Sequence, residues 1–379
     1  MKKNAGLITY HSAYNFGSML QAYATQQTIE KLGYSCEMIN YRMKSQKEFY
    51  TLIRTRYSLN NMVNDLLLIP EMRQRRLRAA KFEDFMAKYM KLSKEYSEPE
   101  QLTELRDAYD VVVSGSDQIW NKLSNELARA DFKYITPYFL EQFNGHKISY
   151  ASSLAGMNDE DLKKAEPLIR EFAHISMRED EAAKRMEKLL GREVASVLDP
   201  TFLLTKEEWD EHLRLGSNNN LQDYYLFYSL NGGKHGYTET NTILRNIEDG
   251  LCKDRNRKIV TITPFLHIKK TDRIRPQVNI GPRGFLSLIR NASGIITNSY
   301  HGTILSVNLN KPVVSLCNVG AADNRKVDVL NKLGLNSQVI NSVEEIGRVE
   351  DPIDYEAVNE KLAVLRQASI DYLENSLKD

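Results

Sequence analysis

Short apolar runs alternate with longer amphipathic segments along the chain, and this pattern predicts a parallel α/β fold. The first apolar run is Gly6–Tyr10, and after a polar loop the apolar positions follow a helical period as far as Lys31. Gly33 stands where a glycine commonly ends such a helix, and Cys36–Tyr41 is predicted as the next strand. A strand, a helix and a second strand in this order indicate a βαβ unit, whose two strands are parallel.

Both halves of the chain continue this pattern. The further predicted strands are Asp110–Val113, Lys147–Ser152, His174–Arg178, Val194–Leu198, Tyr224–Ser229, Lys258–Thr263, Gly294–Thr297 and Pro312–Leu316. The predicted helices cover residues 51–95, 160–172, 238–251, 284–291 and 355–377, with a glycine-rich turn at Gly232 and Gly233. We predict two Rossmann-like, doubly wound α/β domains facing a cleft, one over residues 1–200 and one over 201–353, followed by a long C-terminal helix over 354–379.

The composition agrees with a folded protein of two domains. The chain has 379 residues, of which 42% are hydrophobic and 27% are charged. This length fits two domains of ordinary size, and the balance of apolar and charged residues argues against a disordered chain. The formal net charge is +1, so no overall field favours binding to nucleic acid or to a membrane.

The cysteines and the first residues bear on metal sites and on location. Cys36, Cys252 and Cys317 are widely separated and form no CxxC pair, and no His or Cys stands at zinc-ligand spacing. We expect neither a metal site nor a disulfide framework, and free cysteines fit a reducing cytoplasm. Ala5–Tyr10 is too short for a signal-peptide core, and no apolar run reaches the roughly 20 residues of a membrane helix. We therefore expect a cytoplasmic protein.

A basic cluster lies in the predicted helix over residues 51–95. Its members are Arg73, Arg75, Arg76 and Arg78. Such a cluster is more often a solvated helix face than a binding surface. The alternative is peripheral contact with an anionic partner at the inner face of the membrane, such as a phospholipid or a lipid pyrophosphate.

Polar loops that follow strands are the candidates for chemistry, because ligands of open parallel sheets bind beyond the carboxyl ends of the strands. The loop after the first strand contains His11, Asn15 and Ser18. We expect Ser18 to cap the following helix, whose N-terminus suits an anion or a sugar hydroxyl. An ordinary βα turn is an equally good interpretation of this loop.

The loop Ser114–Asn121 contains an acid, an amide and an indole: Asp117, Gln118 and Trp120. An aspartate in the first turn of a helix is a common structural feature, because it complements the helix dipole. The mixture of side chains nonetheless resembles a carbohydrate-binding surface. In that interpretation Asp117 accepts a sugar hydroxyl or acts as general base, and Trp120 is an aromatic platform.

Two further loops supply cations. Arg178 ends a predicted strand; such an arginine is more often structural, although its planar guanidinium can hold a carboxylate or phosphate by two hydrogen bonds. The loop Asp323–Lys326 precedes a helix, and Arg325 and Lys326 could close over an anionic ligand there. An ordinary surface loop is equally compatible with that segment.

The sharpest signal is the segment Asn298–Thr303, where a buried strand ends and a helix begins at once. The backbone amides of His301, Gly302 and Thr303 are expected to point at an anion, and His301 could donate a proton there. A lone histidine is usually structural, but this context favours a functional one. The sequence lacks GxGxxG, Walker A and GxSxG motifs, which gives little support to nicotinamide, ATP or serine-hydrolase chemistry.

Taken together, these segments resemble the polysaccharide pyruvyl transferase family, over most of the chain from Gly6 to about Leu335. Each motif alone is weak, but six in the same order are specific. They are His11 with Asn15–Ser18 and Leu20–Tyr23, then Ser114–Asn121, Tyr150–Ser152, Ser176–Glu179, Leu198–Thr201 and Asn298–Gly302.

The resemblance implies two Rossmann-like domains arranged as in GT-B glycosyltransferases, with the acceptor on the N-terminal side and the donor on the C-terminal side of the cleft. It implies transfer of pyruvate from phosphoenolpyruvate to a hexose of a surface polysaccharide or its lipid-linked precursor. The product is a cyclic ketal, phosphate is released, and no metal or cofactor is needed.

By position, His301 resembles the catalytic histidine of the family and Arg178 its donor-binding arginine. Many members carry Arg two residues before that histidine, where this chain has Ser299. The donor charge must then be met by other cations, and Arg178, Arg325 and Lys326 are the candidates.

The expected site combines these residues. The expected catalytic residues are His301 as acid and Asp117 as base. The expected donor-binding residues are Arg178, Ser299, Gly302, Thr303, Arg325 and Lys326. The expected acceptor-binding residues are His11, Asn15, Ser18, Gln118 and Trp120. Two alternatives stay open: a GT-B glycosyltransferase using a nucleotide sugar, for which no acidic ribose ligand is evident, and a non-catalytic sugar-binding protein, against which His301 and Arg178 argue.

Overall fold

The structure is a computed structural model of the chain. It describes residues 2–44, 46, 59–124, 127, 130–215, 221, 223–230, 233–252, 257–263, 271–317 and 324–378. Three sequence predictions lie outside these residues: the beginning of the long helix at 51–58, the turn residue Gly232 and the loop residue Asp323.

The chain divides into two compact units. Unit 1 comprises Met1–Ile69, Phe82–Leu204 and Val364–Asp379, and unit 2 comprises Pro70–Lys81 and Thr205–Ala363.

Unit 1 is built on a parallel sheet of six strands. They are β1 (Asn4–Ile8), β2 (Ser35–Met38), β3 (Val111–Ser114), β4 (His146–Ser152), β5 (His174–Met177) and β6 (Ala195–Ser196), in the spatial order β2-β1-β3-β4-β5-β6. The helices are α1 (Phe16–Lys31), α2 (Leu59–Tyr89), α3 (Asp159–Ile169) and α4 (Asp180–Leu190). All four residues of β3 are buried, as expected for a parallel strand at the centre of a sheet covered on both faces.

Unit 2 contains a second parallel sheet of six strands. They are β7 (Tyr224–Tyr228), β8 (Lys258–Ile262), β9 (Ile274–Pro276), β10 (Gly294–Thr297), β11 (Val313–Leu316) and β12 (Val339–Ile340), in the spatial order β12-β11-β10-β7-β8-β9. The helices are α5 (Lys206–Leu213), α6 (Gly233–Asn246), α7 (Pro282–Asn291), α8 (Tyr300–Asn308), α9 (Asn324–Leu333) and α10 (Tyr355–Lys378).

Each sheet has one point at which the strand order reverses. In unit 1 this point lies between β1 and β3, and in unit 2 between β7 and β10, which gives unit 2 the strand order of a Rossmann fold. Connections leave the two adjacent strands in opposite directions there, so a crevice opens at their carboxyl ends. The segments after β1, β3, β7 and β10 are therefore the places where a ligand is expected.

Two long helices are shared between the units. Residues Pro70–Lys81 of α2 belong to unit 2, whereas α10 belongs to unit 2 as far as Ala363 and to unit 1 from Val364. The unit 1 part of α10 is tied to the sheet, since Ser369 Oγ accepts the Leu198 amide at 3.0 Å. The predicted long C-terminal helix is present as α10, and its residues are divided between the two units.

The ten strands predicted from the sequence all have an observed counterpart, with ends that differ by up to three residues. The strands β9 and β12 were missed because they have three and two residues and lie at the sheet edges. Asp117 does not begin a helix as predicted: it lies in the left-handed region with φ 75° and forms a bridge to Ser152. Within the described part of the chain, no helix has the length and apolar character of a membrane span.

Candidate functional site

In unit 1, the carboxyl ends of β1 and β3 form a tightly bonded polar edge. Thr9 Oγ1 donates to the Ser116 carbonyl at 2.9 Å, which joins the segments that follow the two strands. Gly115 has φ 130°, and a Cβ there would lie 2.0 Å from the Tyr150 carbonyl oxygen. Only glycine allows this backbone path, which delivers Asp117 to the point where the strand order reverses.

Asp117 is the acid at this edge, with 6% of its surface exposed. Its Oδ2 accepts the Ser18 hydroxyl at 2.6 Å, and its Oδ1 accepts the Gln118 amide at 2.9 Å. The Arg178 guanidinium lies 3.8 Å from Oδ1. The structure therefore brings together three residues that the sequence analysis had placed in separate loops: Ser18, Asp117 and Arg178.

Arg178 contacts two further carboxylates besides that of Asp117. Its Nη1 donates to Asp199 at 2.8 Å, its Nε donates to Glu179 at 3.2 Å, and its side chain is 1% exposed. Three carboxylates thus surround one guanidinium, which makes this edge acidic. The Arg178 guanidinium, which was predicted to bind an anionic donor, contacts carboxylates of the protein itself. These contacts hold the carboxylates in place.

His11 lies in the core rather than at a ligand surface. Its Nε2 is 2.9 Å from Asn40 Oδ1, and its Nδ1 is 3.2 Å from the Thr9 carbonyl. Burial, opposed by the hydrogen bond to Asn40, lowers the pKa of His11 to about 4. The imidazole is therefore neutral near pH 7 and acts as a structural link, which corrects the predicted acceptor contact.

Asn15, rather than Ser18, is the N-cap of α1. Its side-chain oxygen accepts the Gly17 amide at 2.9 Å and the Ser18 amide at 3.3 Å. The predicted cap residue Ser18 instead uses its hydroxyl on Asp117. Asn15 can satisfy the first amides because it keeps an extended backbone with φ −115°.

Trp120 is also a core residue. Its side chain is fully buried, its indole N–H donates to the Tyr138 carbonyl at 2.9 Å, and its ring packs against Phe139. The predicted aromatic platform for a sugar is therefore not available at Trp120. Gln118 is half-buried, and its side-chain oxygen accepts the Asn121 amide group at 3.0 Å.

In unit 2, the ends of β7 and β10 meet at the reversal of strand order. Tyr228 pairs with Thr297 in the last register of the two strands. The Asn298 side chain then bridges the two loops: its Nδ2 donates to Ser229 Oγ at 3.1 Å, and its Oδ1 accepts the Leu230 amide at 3.0 Å. The loop that leads to His301 is thereby fixed to the neighbouring strand.

Ser299 is the N-cap of α8. Its hydroxyl accepts the Gly302 amide at 3.2 Å, and its carbonyl accepts the Thr303 amide at 3.0 Å. Two of the amides predicted to face an anion are therefore satisfied within the helix start. Gly302 also permits close packing, since a Cβ there would lie 2.6 Å from Thr297 Oγ1 and 2.8 Å from Tyr228 Cδ1.

His301 occupies the first turn of α8 and is 9% exposed. Its ring meets the Tyr300 ring edge-on, with 5.2 Å between the centroids. The Arg325 guanidinium lies over the same tyrosine, 5.5 Å from the centroid. An imidazole, a phenol ring and a guanidinium are thus grouped at the carboxyl edge of this sheet.

Lys326 has a structural role in this unit. Its ammonium group donates to the Asn298 carbonyl at 2.9 Å and to the Leu316 carbonyl at 2.6 Å, and the residue is 3% exposed. It therefore ties the ends of β10 and β11 together, and main-chain carbonyls accept two of its hydrogen bonds.

Several residues at both edges were not among the predicted site residues. Glu179 and Asp199 surround Arg178, and Tyr228 contacts Gly302. All three follow or end a strand. They would have been candidates if the residues at the carboxyl end of every predicted strand had been considered. Among the described residues, no group of three His, Cys, Asp or Glu side chains could hold a metal ion.

Similarity to known proteins assigns the chain to a family. The sequence matches the polysaccharide pyruvyl transferase family over residues 15–318. The chain belongs to this family. No curated protein sequence matches it.

Several solved structures are similar to this pyruvyl transferase family member over most of its length. The UDP-GlcNAc 2-epimerase from Methanocaldococcus jannaschii has 14% identity and a TM-score of 0.50 over 93% of this chain and 92% of its own. The UDP-N-acetylglucosamine 2-epimerase from Rickettsia bellii has 11% identity and a TM-score of 0.50 over 98% of both chains. A mutant O-GlcNAc transferase from Thermobaculum terrenum has 12% identity and a TM-score of 0.46 over 99% of this chain, which spans 66% of its length. The chain is a GT-B-like protein with two Rossmann-like sheets.

Proposed function

We propose that this pyruvyl transferase family member transfers the pyruvyl group of phosphoenolpyruvate to a hexose of a surface polysaccharide or of its lipid-linked precursor. The observation that carries the proposal is the position of His301 in the first turn of α8, at the point where the unit 2 strand order reverses. A proton donor at a helix start suits a donor that must be protonated and whose phosphate must leave.

We assign the donor to the unit 2 edge. There His301, as imidazolium, gives its proton to the methylene carbon of phosphoenolpyruvate, and C2 becomes electrophilic. A sugar hydroxyl adds to C2, the bond between C2 and the phosphate oxygen breaks, and a second hydroxyl of the same sugar forms the ketal. The proton that one sugar hydroxyl loses returns to His301. The proton that the other hydroxyl loses leaves with phosphate.

We assign the acceptor chemistry to the unit 1 edge. Asp117 is the proposed base for the sugar hydroxyl, and Arg178 holds Asp117 and Asp199 in place. The acidic character of this edge suits a neutral, hydroxyl-rich acceptor, because carboxylates accept hydrogen bonds from sugar hydroxyls and repel an anion.

The first test is a binding measurement. Purified protein is titrated with phosphoenolpyruvate and with a panel of nucleotide sugars, and the melting temperature and calorimetric heats are recorded. Selective stabilisation by phosphoenolpyruvate is the expected result, because a ligand that binds only the folded state raises its stability. Stabilisation by a nucleotide sugar alone would replace the proposal with a glycosyltransferase.

The second test is the variant His301→Gln. We expect turnover to fall about 10²–10⁴-fold, which is the usual contribution of general acid catalysis, while phosphoenolpyruvate binding persists. His235→Gln is the matched control, because His235 is an exposed histidine of α6 in the same unit. Phosphate release by H301Q at the rate of H235Q would remove His301 as the acid.

A further inference from the structure

The unit 2 edge contains fewer cationic side chains to bind an anionic donor substrate than were predicted from the sequence. Phosphoenolpyruvate carries a carboxylate and a phosphate, so its site needs positive charge. Lys326 is bonded to two main-chain carbonyls, and the residue two positions before His301 is the uncharged Ser299. Among the predicted donor cations of unit 2, Arg325 alone lies beside Tyr300 and His301.

The helix α2 carries a second arginine, Arg78, on a face that packs on the segment before α7. Gln74 Oε1 accepts the Asn279 side-chain amide at 2.7 Å, and a Cβ on Gly281 would lie 2.8 Å from Lys81 Cβ. Gln74, Arg78 and Lys81 are spaced by four and three residues, so they lie on one face of the helix. Two members of that face pack on the segment before α7, and Arg78 stands between them.

The packing continues from α7 to the His301 loop. Phe285 of α7 meets the Tyr228 ring edge-on, with 4.8 Å between the centroids. Tyr228 in turn lies against Gly302. Burial raises the pKa of Tyr228 to about 12, opposed by its hydrogen bond with Ser299 and by the charge of Arg78. Arg78 is therefore within electrostatic range of the residues that cap α8.

The basic cluster of α2 is thus divided into two faces. Arg73 and Arg76 are exposed, together with Leu77, whereas Arg75 and Arg78 are half-buried. The four arginines, predicted as one cluster, therefore do not share one surface of the helix.

We propose that Arg78 is a donor-binding residue, which supplies positive charge beside the uncharged Ser299. This inference rests on the proposed function, because it takes the ligand of the unit 2 edge to be an anion such as phosphoenolpyruvate. Arg78 and Arg325 then bind the donor anion, and His301 protonates it.

The experiment compares Arg78→Gln and Arg78→Lys with Arg76→Gln, a control two residues away on the exposed face of the same helix. Calorimetric titration with phosphoenolpyruvate and with inorganic phosphate gives Kd, and turnover assays give KM and kcat. We expect R78Q to weaken both Kd values about tenfold or more, which is typical of a lost hydrogen bond to a charged group. R78K should lie between R78Q and the wild type, R76Q should match the wild type, and KM should change more than kcat.

Two readouts separate binding from folding. The melting temperature without ligand reports any structural role of Arg78, and the dependence of Kd on salt reports its charge. We expect R78Q to have a weaker salt dependence than R76Q, whatever its melting temperature.

The outcomes distinguish the two proposals. A wild-type protein that binds neither phosphoenolpyruvate nor phosphate would overturn the proposed function and this inference together. A wild-type protein that binds both, with R78Q binding them equally well and with the same salt dependence, would overturn the inference and leave the proposed function intact.

Discussion

Buried polar residues of this chain are held by partners that are distant in sequence. His11 contacts Asn40, and Trp120 contacts Tyr138. Arg178 binds Asp199, which a Thr201 hydroxyl also contacts at 2.7 Å. Removing one member of such a pair leaves the other buried without its bond, which costs more than the bond itself contributes.

His11 leads to a prediction about acid stability. Its pKa is about 6.5 in the unfolded chain and about 4 in the folded protein, so between these values the unfolded state binds the extra proton. The stability that neutral His11 contributes is therefore present above pH 6.5 and is lost as the pH falls toward 4. We expect this to lower the free energy of unfolding by about 2 kcal/mol between pH 7 and pH 5.

The measurement is urea unfolding of the wild type and of His11→Gln at pH 7 and at pH 5. H11Q should be less stable at pH 7 because it loses the native contacts, but its stability should change less between the two values. An equal change in both proteins would show that His11 does not titrate in this way.

At the scale of elements, helix starts organise both candidate edges. Asn15 caps α1, which leads away from β1, and Ser299 caps α8, which leads away from β10. Each cap satisfies two amides, so the loop between strand and helix has a fixed path. The candidate site residues Ser18 and His301 both lie in the first turn of their helices.

The cap of α1 gives a prediction about stability. Asn15→Ala should lower the free energy of unfolding by about 1 kcal/mol, because the Gly17 and Ser18 amides lose their acceptor. Asn15→Asp is the matched control, since a carboxylate can accept the same bonds and favours a helix N-terminus. Urea denaturation of both variants measures the difference, and equal destabilisation of the two would argue against the cap.

The sequence located the edges better than it located the side chains within them. Asp117 and His301 follow apolar strands, and a strand end can be read from a local pattern. The burial of His11 and Trp120 depends on Asn40 and Tyr138, whose positions follow only from the folded chain. The helix face that carries Arg78 likewise packs on Asn279 and Gly281, about 200 residues later in the sequence.

At the scale of the whole molecule, α10 is part of two hydrophobic cores. Leu362 is 1% exposed and belongs to unit 2, and Leu373 is 0% exposed and belongs to unit 1. One continuous helix therefore contributes stability to both units, through different turns.

This division predicts separable effects of two equivalent substitutions. Leu362→Ala should reduce hydrogen-exchange protection chiefly in unit 2, and Leu373→Ala chiefly in unit 1, each by about 2–5 kcal/mol in local stability. Mass spectrometry of peptides from β10 and from β3 reports the two units. An identical loss of protection in both peptide sets for both variants would show that the units unfold as one.

The order of the segments also bears on how the chain folds during synthesis. Residues 205–363 of unit 2 leave the ribosome as one continuous stretch, whereas unit 1 is completed only by residues 364–379. The carboxylates at the Asp117 edge are therefore translated early, in a unit that lacks its last helix until the second unit has emerged. A nascent chain must protect the open face of that sheet for the whole of this interval, which is when chaperone contact is most useful.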